Sequence, residues 1–122
     1  MIRQVFPLPL PVFQRSVDFR FSAIKAARRV WTIPSIHANA DKLRDLHDAL
    51  LPRLKAGDRI VYMGNYIGRG PDSAPVVDEL LAFRRMVLAI AGFQPSDIIY
   101  LRGQQEELLQ RAFQLHFAST PW

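Results

Sequence analysis

From Arg29 onward the chain alternates between two hydrophobic rhythms: short β-branched runs, and longer stretches with apolar residues three or four apart. The runs are RVWTI at 29–33, RIVYM at 59–63 and DIIYL at 97–101. Each is nearly continuous in apolar character, the pattern of a strand covered on both faces in a parallel sheet. After the first run, Leu43, Leu46, Leu50 and Leu54 recur at helical spacing behind a cap at Asn39 or Asp41, with Pro52 shortening the end and Gly57 stopping it. After the second, a helix capped by Asp72 or Ser73 carries Pro75 in its first turn, then Val76, Val77, Leu80, Leu81, Leu88 and Ala91, with Gly92 as terminator. Glu106, Leu108, Leu109, Ala112 and Phe113 mark a final helix. The order is β-α-β-α-β-α, an α/β core on a parallel sheet, and right-handed crossovers bring the three strand-to-helix loops to one rim.

Ahead of this core, MIRQVFPLPLPV alternates apolar residues with prolines at 7, 9 and 11, which excludes helix and spoils the continuous apolar stretch of a secretory leader. SVDFRFS then sets Val17, Phe19 and Phe21 against Asp18 and Arg20, the period-two signature of a strand with one face buried. Residues 1–28 therefore read as an extended, proline-rich arm with an edge strand, and residues 29–122 as the domain.

Length and composition narrow the class. The 122 residues suit one domain, which buries roughly two-thirds of the surface its unfolded chain exposes. A hydrophobic share of 49% and a charged share of 22% fit a globular chain, and no apolar run is long enough to span a bilayer, so no membrane partner is expected. With no cysteine there is neither disulfide framework nor thiolate metal site, which suits a reducing cytoplasm, the expected location. The net charge of +5 is dispersed. Arg28–Arg29 and Arg84–Arg85 are the adjacent basic pairs, neither interleaved with aromatics as in a strand-binding groove, so they read as solvated surface with no nucleic-acid partner.

Chemistry concentrates in the three loops, IPSIHAN, GNYIGRGPDS and RGQQEE. From about Arg28 to Leu109 the chain resembles the calcineurin-like metallophosphoesterases, in the branch holding protein Ser/Thr phosphatases and diadenosine polyphosphate hydrolases. That family carries GDxHG, GDxxDRG and GNHE at these places. The resemblance implies the first half of a layered β-sandwich and a two-metal phosphoesterase site, and it shows where this chain departs from one. The family's opening Gly is Pro34, its metal-binding Asp is Ser35, its metal-binding His is kept as His37, and the closing Gly is Ala38. The bridging acid is Asn65, the second Asp is Gly68, and the phosphate-holding Arg is kept as Arg69. The metal-binding Asn is Gln104, the His assisting the leaving group is Gln105, and Glu106 is kept. The family's remaining His ligands belong to a second half that this chain, ending at Trp122, is expected to lack.

Two divalent cations about 4 Å apart repel by roughly 16 kcal/mol even at an effective dielectric of ~20, so such a site depends on carboxylates between and beside them. Ser35 and Asn65 bring no charge, and without metals no water is activated near neutral pH. The expectation is a pseudoenzyme with no metal and no cofactor, acting as a protein-interaction or regulatory module. Alternatives are a residual metal-dependent phosphoesterase, or a metal-free phosphate or nucleotide binder built on Arg69. Arg69 can equally pair with Asp72 or Glu106, and His37 can serve as a loop hydrogen-bond partner. His47 and His116 fall in helical patterns and are expected to face solvent or a helix flank. Glycines 64, 68 and 70 preserve the turn after the second strand, and Tyr62 and Tyr100 read as core or interface packing. Lacking the second half, the sheet needs cover from a second copy in a homodimer, from another protein or from the arm, whose Phe6, Leu8, Leu10 and Phe13 are the interface candidates.

Overall fold

The computed structural model describes residues 26–119, with side chains as far as residue 115. Its strands are β1 (Arg29–Ile33), β2 (Asp58–Tyr62) and β3 (Ile98–Tyr100), and its helices are α1 (Ala40–Leu50), α2 (Ser73–Leu88) and α3 (Gln104–Ser119). The strands form one parallel sheet in the order β1-β2-β3, with Trp31 opposite Ile60 and Ile60 opposite Ile98. The β-α-β-α-β-α core expected from the pattern is present. Residues 1–25, which hold most of the expected arm and its Phe6, Leu8, Leu10 and Phe13, lie outside the described residues.

Local chemistry sets the element ends. Of the two candidate caps for α1, Asn39 is the one used, its side-chain oxygen accepting the Lys42 N–H at 3.1 Å. Pro52 cannot donate to the helix, and the chain tightens into a 3-10 turn over Leu51–Arg53. Asp72 precedes α2, where Pro75 sits in the first turn and costs no intrahelical hydrogen bond.

Alternate strand residues point to one side, where Ile33, Ile60, Tyr62 and Ile98 meet Leu43 and Leu50 of α1 and Val76, Leu80, Phe83 and Val87 of α2. The stripe on α2 is thus 76, 80, 83 and 87. Val77 and Leu81, also expected on the buried face, stand one position round from it and are 41% and 49% exposed. On α1 the stripe is Leu43, His47 and Leu50, which leaves Leu46 exposed.

The expectation that all three strands are covered on both faces does not hold among the described residues. Right-handed crossovers between successive neighbouring strands put α1 and α2 on the same side of the sheet. On the opposite side Val61 of the central strand is buried, but Val30 of β1 and Met63 remain about half exposed. Among the described residues no helix is long and apolar enough to cross a membrane.

The bottom of the sheet is closed by a buried charge. Asp58 accepts from Arg28 Nη1 at 3.0 Å, Arg29 Nη2 at 3.1 Å, Trp31 Nε1 at 3.0 Å and the Lys55 N–H at 3.0 Å. Arg28 and Arg29 are therefore corrected from solvated surface to a clamp on one fully buried carboxylate.

Candidate functional site

Because the strands are parallel, the loops after them leave one edge of the sheet together. Their backbones are bonded to one another. The Ile36 and His37 N–H groups donate to Asn65 O at 3.1 and 2.8 Å, Ala38 N–H donates to Tyr66 O at 2.8 Å, and Asp72 N–H donates to Ala38 O at 3.1 Å. Gly64, at φ +97°, meets Gly103 so closely that a Cβ on either residue would collide with the other loop, so glycine is required on both sides of this contact.

Glu106 ties the second loop to the third. Its Oε1 accepts the Asn65 and Gly103 N–H groups at 2.7 and 2.9 Å, and its Oε2 accepts Tyr66 and Ile67 at 2.7 and 3.2 Å. The consecutive amides at 65, 66 and 67 form an anion cradle, and the anion in it is the chain's own carboxylate. Asn65 is equally occupied: its Oδ1 accepts the Gln105 N–H at 3.0 Å, and its Nδ2 donates to Ser35 Oγ at 3.1 Å. Replacing Glu106 with Gln, which turns two acceptor oxygens into one oxygen and a donor, is expected to cost about 2 kcal/mol in urea unfolding. Amide exchange at 65–67 should quicken while exchange in α2 stays slow.

The loops also store backbone strain. His37, Ala38, Asn65 and Arg69 all take left-handed φ, between 50° and 60°. Asn tolerates this region; His, Ala and Arg there cost of order 1 kcal/mol each.

Of the residues singled out in the sequence, the structure brings together Ser35, Asn65, Gln105 and Glu106, while Gly68 lies against the Gln105 side chain. Gln104 opens α3 and is exposed. The His37 Nδ1 is buried with no hydrogen-bond partner among the described residues. Arg69 is exposed and makes neither of its two expected ion pairs: Glu106 is engaged by backbone amides, and Arg69 has no salt bridge to Asp72.

The donor set does not fit a two-metal centre. Among the described residues no three His, Cys, Asp or Glu side chains cluster as ligands. Ser35 and Asn65 are neutral and bonded to each other, and the Glu106 carboxylate is saturated by four N–H groups. A cavity of about 190 Å³ borders Ser35, walled by Pro34, Ile36, Asn39 and Lys42 among others, and none of His37, Asn65, Arg69, Gln105 or Glu106 lines it.

Compared with family models, curated proteins and solved structures, the chain matches none of them.

His47, like Asp58, is a buried polar group that residue order did not reveal. His47, expected at a solvent-facing or flanking position, is 1% exposed. Its Nδ1 lies 2.5 Å from Glu79 Oε2 and its Nε2 lies 2.9 Å from the Tyr62 hydroxyl, with its ring stacked on Phe83 at 3.8 Å. A neutral ring protonated at Nδ1 satisfies both contacts, donating to Glu79 and accepting from Tyr62. Burial holds the His47 pKa below its ordinary value, against the bond and charge of Glu79 and the charge of Asp48, which push it up. Burial likewise raises the Tyr62 and Tyr66 hydroxyls, and the Tyr66 hydroxyl donates to Leu101 O at 2.6 Å. The clue was positional: 43, 47, 50 and 54 fit one helical stripe as well as 43, 46, 50 and 54 do.

Proposed function

We propose that this chain is a catalytically silent relative of metallophosphoesterases that works as a protein-interaction or regulatory module, with a second copy of itself as the first partner. The carrying observation is that the rim's polar groups bind one another: Glu106 sits in the loop amides and Asn65 joins Ser35 to the start of α3. Glu106 is thereby not free to hold a cation, and the amides at 65–67 are not free to hold a phosphate. The interaction role draws support from the apolar row on α3, where Leu108, Leu109 and Leu115 are 51%, 46% and 72% exposed. A two-fold pairing of like surfaces is the commonest way to bury such a row.

The test is metal analysis of the purified chain together with assays on p-nitrophenyl phosphate and dinucleoside polyphosphates over Mn, Fe and Zn. Substoichiometric metal and flat assays are expected, with a dimer mass in solution. Two bound ions per chain with turnover would overturn the reading.

A second reading, metal-free phosphate binding, is favoured by Arg69, an exposed guanidinium at φ +60° that makes no ion pair among the described residues. Arg69→Gly relieves that backbone and is expected to raise stability by roughly 0.5–1 kcal/mol. Phosphate titration of the parent chain is expected to be non-saturating. Saturable binding that Arg69→Gly abolishes would put the second reading first.

A further inference from the structure

The sheet face turned away from α1 and α2 carries Val30 and Thr32 of β1, Val61 of β2, Met63 just beyond it and Ile99 of β3. Val30 and Met63 are 47% and 48% exposed, whereas Val61 between them is 6% exposed. By strand alternation Arg59, at the start of β2, belongs to this face too. Its Nη2 donates to Ala26 O at 3.2 Å while its Nη1 pairs with Asp97 Oδ1 at 3.2 Å, and its side chain is only 12% exposed. Ala26 precedes the edge strand β1 by three residues, yet it is held against the central strand β2. The Ala26 carbonyl thus lies at the Arg59 end of this face.

We propose that the occupant of this face is residues 5–21 of the same chain. The dimensions suit it. A five-residue strand is about 17 Å long and three strands lie about 10 Å apart from first axis to last, while an extended segment covers about 3.3 Å per residue. Residues 5–21 are long enough to cross the face twice with a turn between passes. The chemistry also suits it: Val17, Phe19 and Phe21 form an apolar side against the polar Asp18 and Arg20, and Phe6, Leu8, Leu10 and Phe13 supply a second apolar row. Only residues 22–25 separate this segment from the anchored Ala26, so its local concentration at the face is far higher than that of any second copy. Prolines at 7, 9 and 11 remove backbone donors and so discourage further strand addition on the outside. This assignment uses no part of the rim chemistry, and it directs a partner to α3 and away from the sheet.

The chain has no cysteine, so single thiols report cleanly. In the full chain Met63→Cys tests the covered face and Leu46→Cys, on α1, serves as control. Phe19→Asp with Phe21→Asp is expected to speed labelling at Met63→Cys by about tenfold and to leave Leu46→Cys within about twofold. Unchanged labelling at Met63→Cys would overturn the proposal. In a second arm, Phe19→Cys or Phe21→Cys is combined with Met63→Cys and treated with a short bismaleimide at several protein concentrations. A cross-link within one chain, independent of concentration, supports the proposal; cross-links found only between chains assign the face to a second copy and defeat it. Should the Asp pair unfold the chain, with both reporters labelling fast and the helical circular dichroism lost, the cross-link alone decides, and its absence counts against the proposal.

Discussion

Asp58→Ala is expected to lower the unfolding free energy by about 3 kcal/mol, among the largest losses from any single substitution here. The carboxylate is fully buried and joins four groups from three stretches of chain: the lead into β1, β1 itself and the turn before β2. Arg28 and Arg29 are 44% and 41% exposed and can turn to water when it is gone, but the Trp31 Nε1–H and the Lys55 N–H lose their acceptor. Burial by itself would raise the Asp58 carboxyl; the bonds from Arg29, Trp31, Lys55 and Arg28 outweigh it and hold the group well below the usual carboxylate range. With the folded pKa depressed, the contribution is complete above the unfolded value of about 3.9 and is lost as pH falls below it towards the folded value. Urea midpoints measured from pH 6 to pH 3 should therefore drop in the parent chain and drop less in Asp58→Asn, which cannot titrate there. Equal slopes in the two would show that Asp58 does not carry the effect.

His47→Ala is expected to cost about as much, roughly 3 kcal/mol, because it opens a cavity against Phe83 and removes the hydrogen-bond partner of the Tyr62 hydroxyl and of Glu79. Its pH signature differs. Since burial keeps the folded pKa below the unfolded value of about 6.5, the unfolded chain takes up the proton first as pH falls. The contribution is present in full above about pH 6.5 and is lost on going down through that value towards the folded pKa. The groups facing the ring are Glu79 from α2, with Arg44 3.6 Å from its other oxygen, Asp48 from α1 and Tyr62 from β2. Comparing urea midpoints at pH 7.5 and 5.5, the parent should lose stability and His47→Ala should lose little. A parent that gains stability on acidification would mean that the Glu79 pairing dominates burial.

These two residues also mark where sequence reading stopped. The runs at 29–33, 59–63 and 97–101 produced strands within one residue of the expected ends, because β-branched runs between turn residues state their own periodicity. Asn39 capped α1 through a local hydrogen bond, and Pro52 ended it for want of a donor. His47 was misplaced because one helical turn accommodates Leu46 or its neighbour on the inward stripe, and hydropathy favours the leucine. The partners that make a histidine acceptable there, Glu79 and Tyr62, lie 32 and 15 residues away. Asp58 went unnoticed for the same reason, since it stands on the same face of β2 as Ile60 and Tyr62, a buried position that an acid can hold only with cations supplied by another strand.

The rim divides in the same way. That three loops meet there, two of them punctuated by glycine, and that Ser35 and Asn65 bring no charge to them, could be read directly from residue order, since a side chain that lacks charge lacks it in any fold. That Glu106 fills the amide cradle at 65–67, and that Arg69 stands apart from both of its candidate acids, depended on hydrogen bonds spanning some 40 residues of chain. Local order dictates which groups are present and which elements they join; only the packed sheet brings distant amides and carboxylates within 3 Å of one another and so decides which group is occupied.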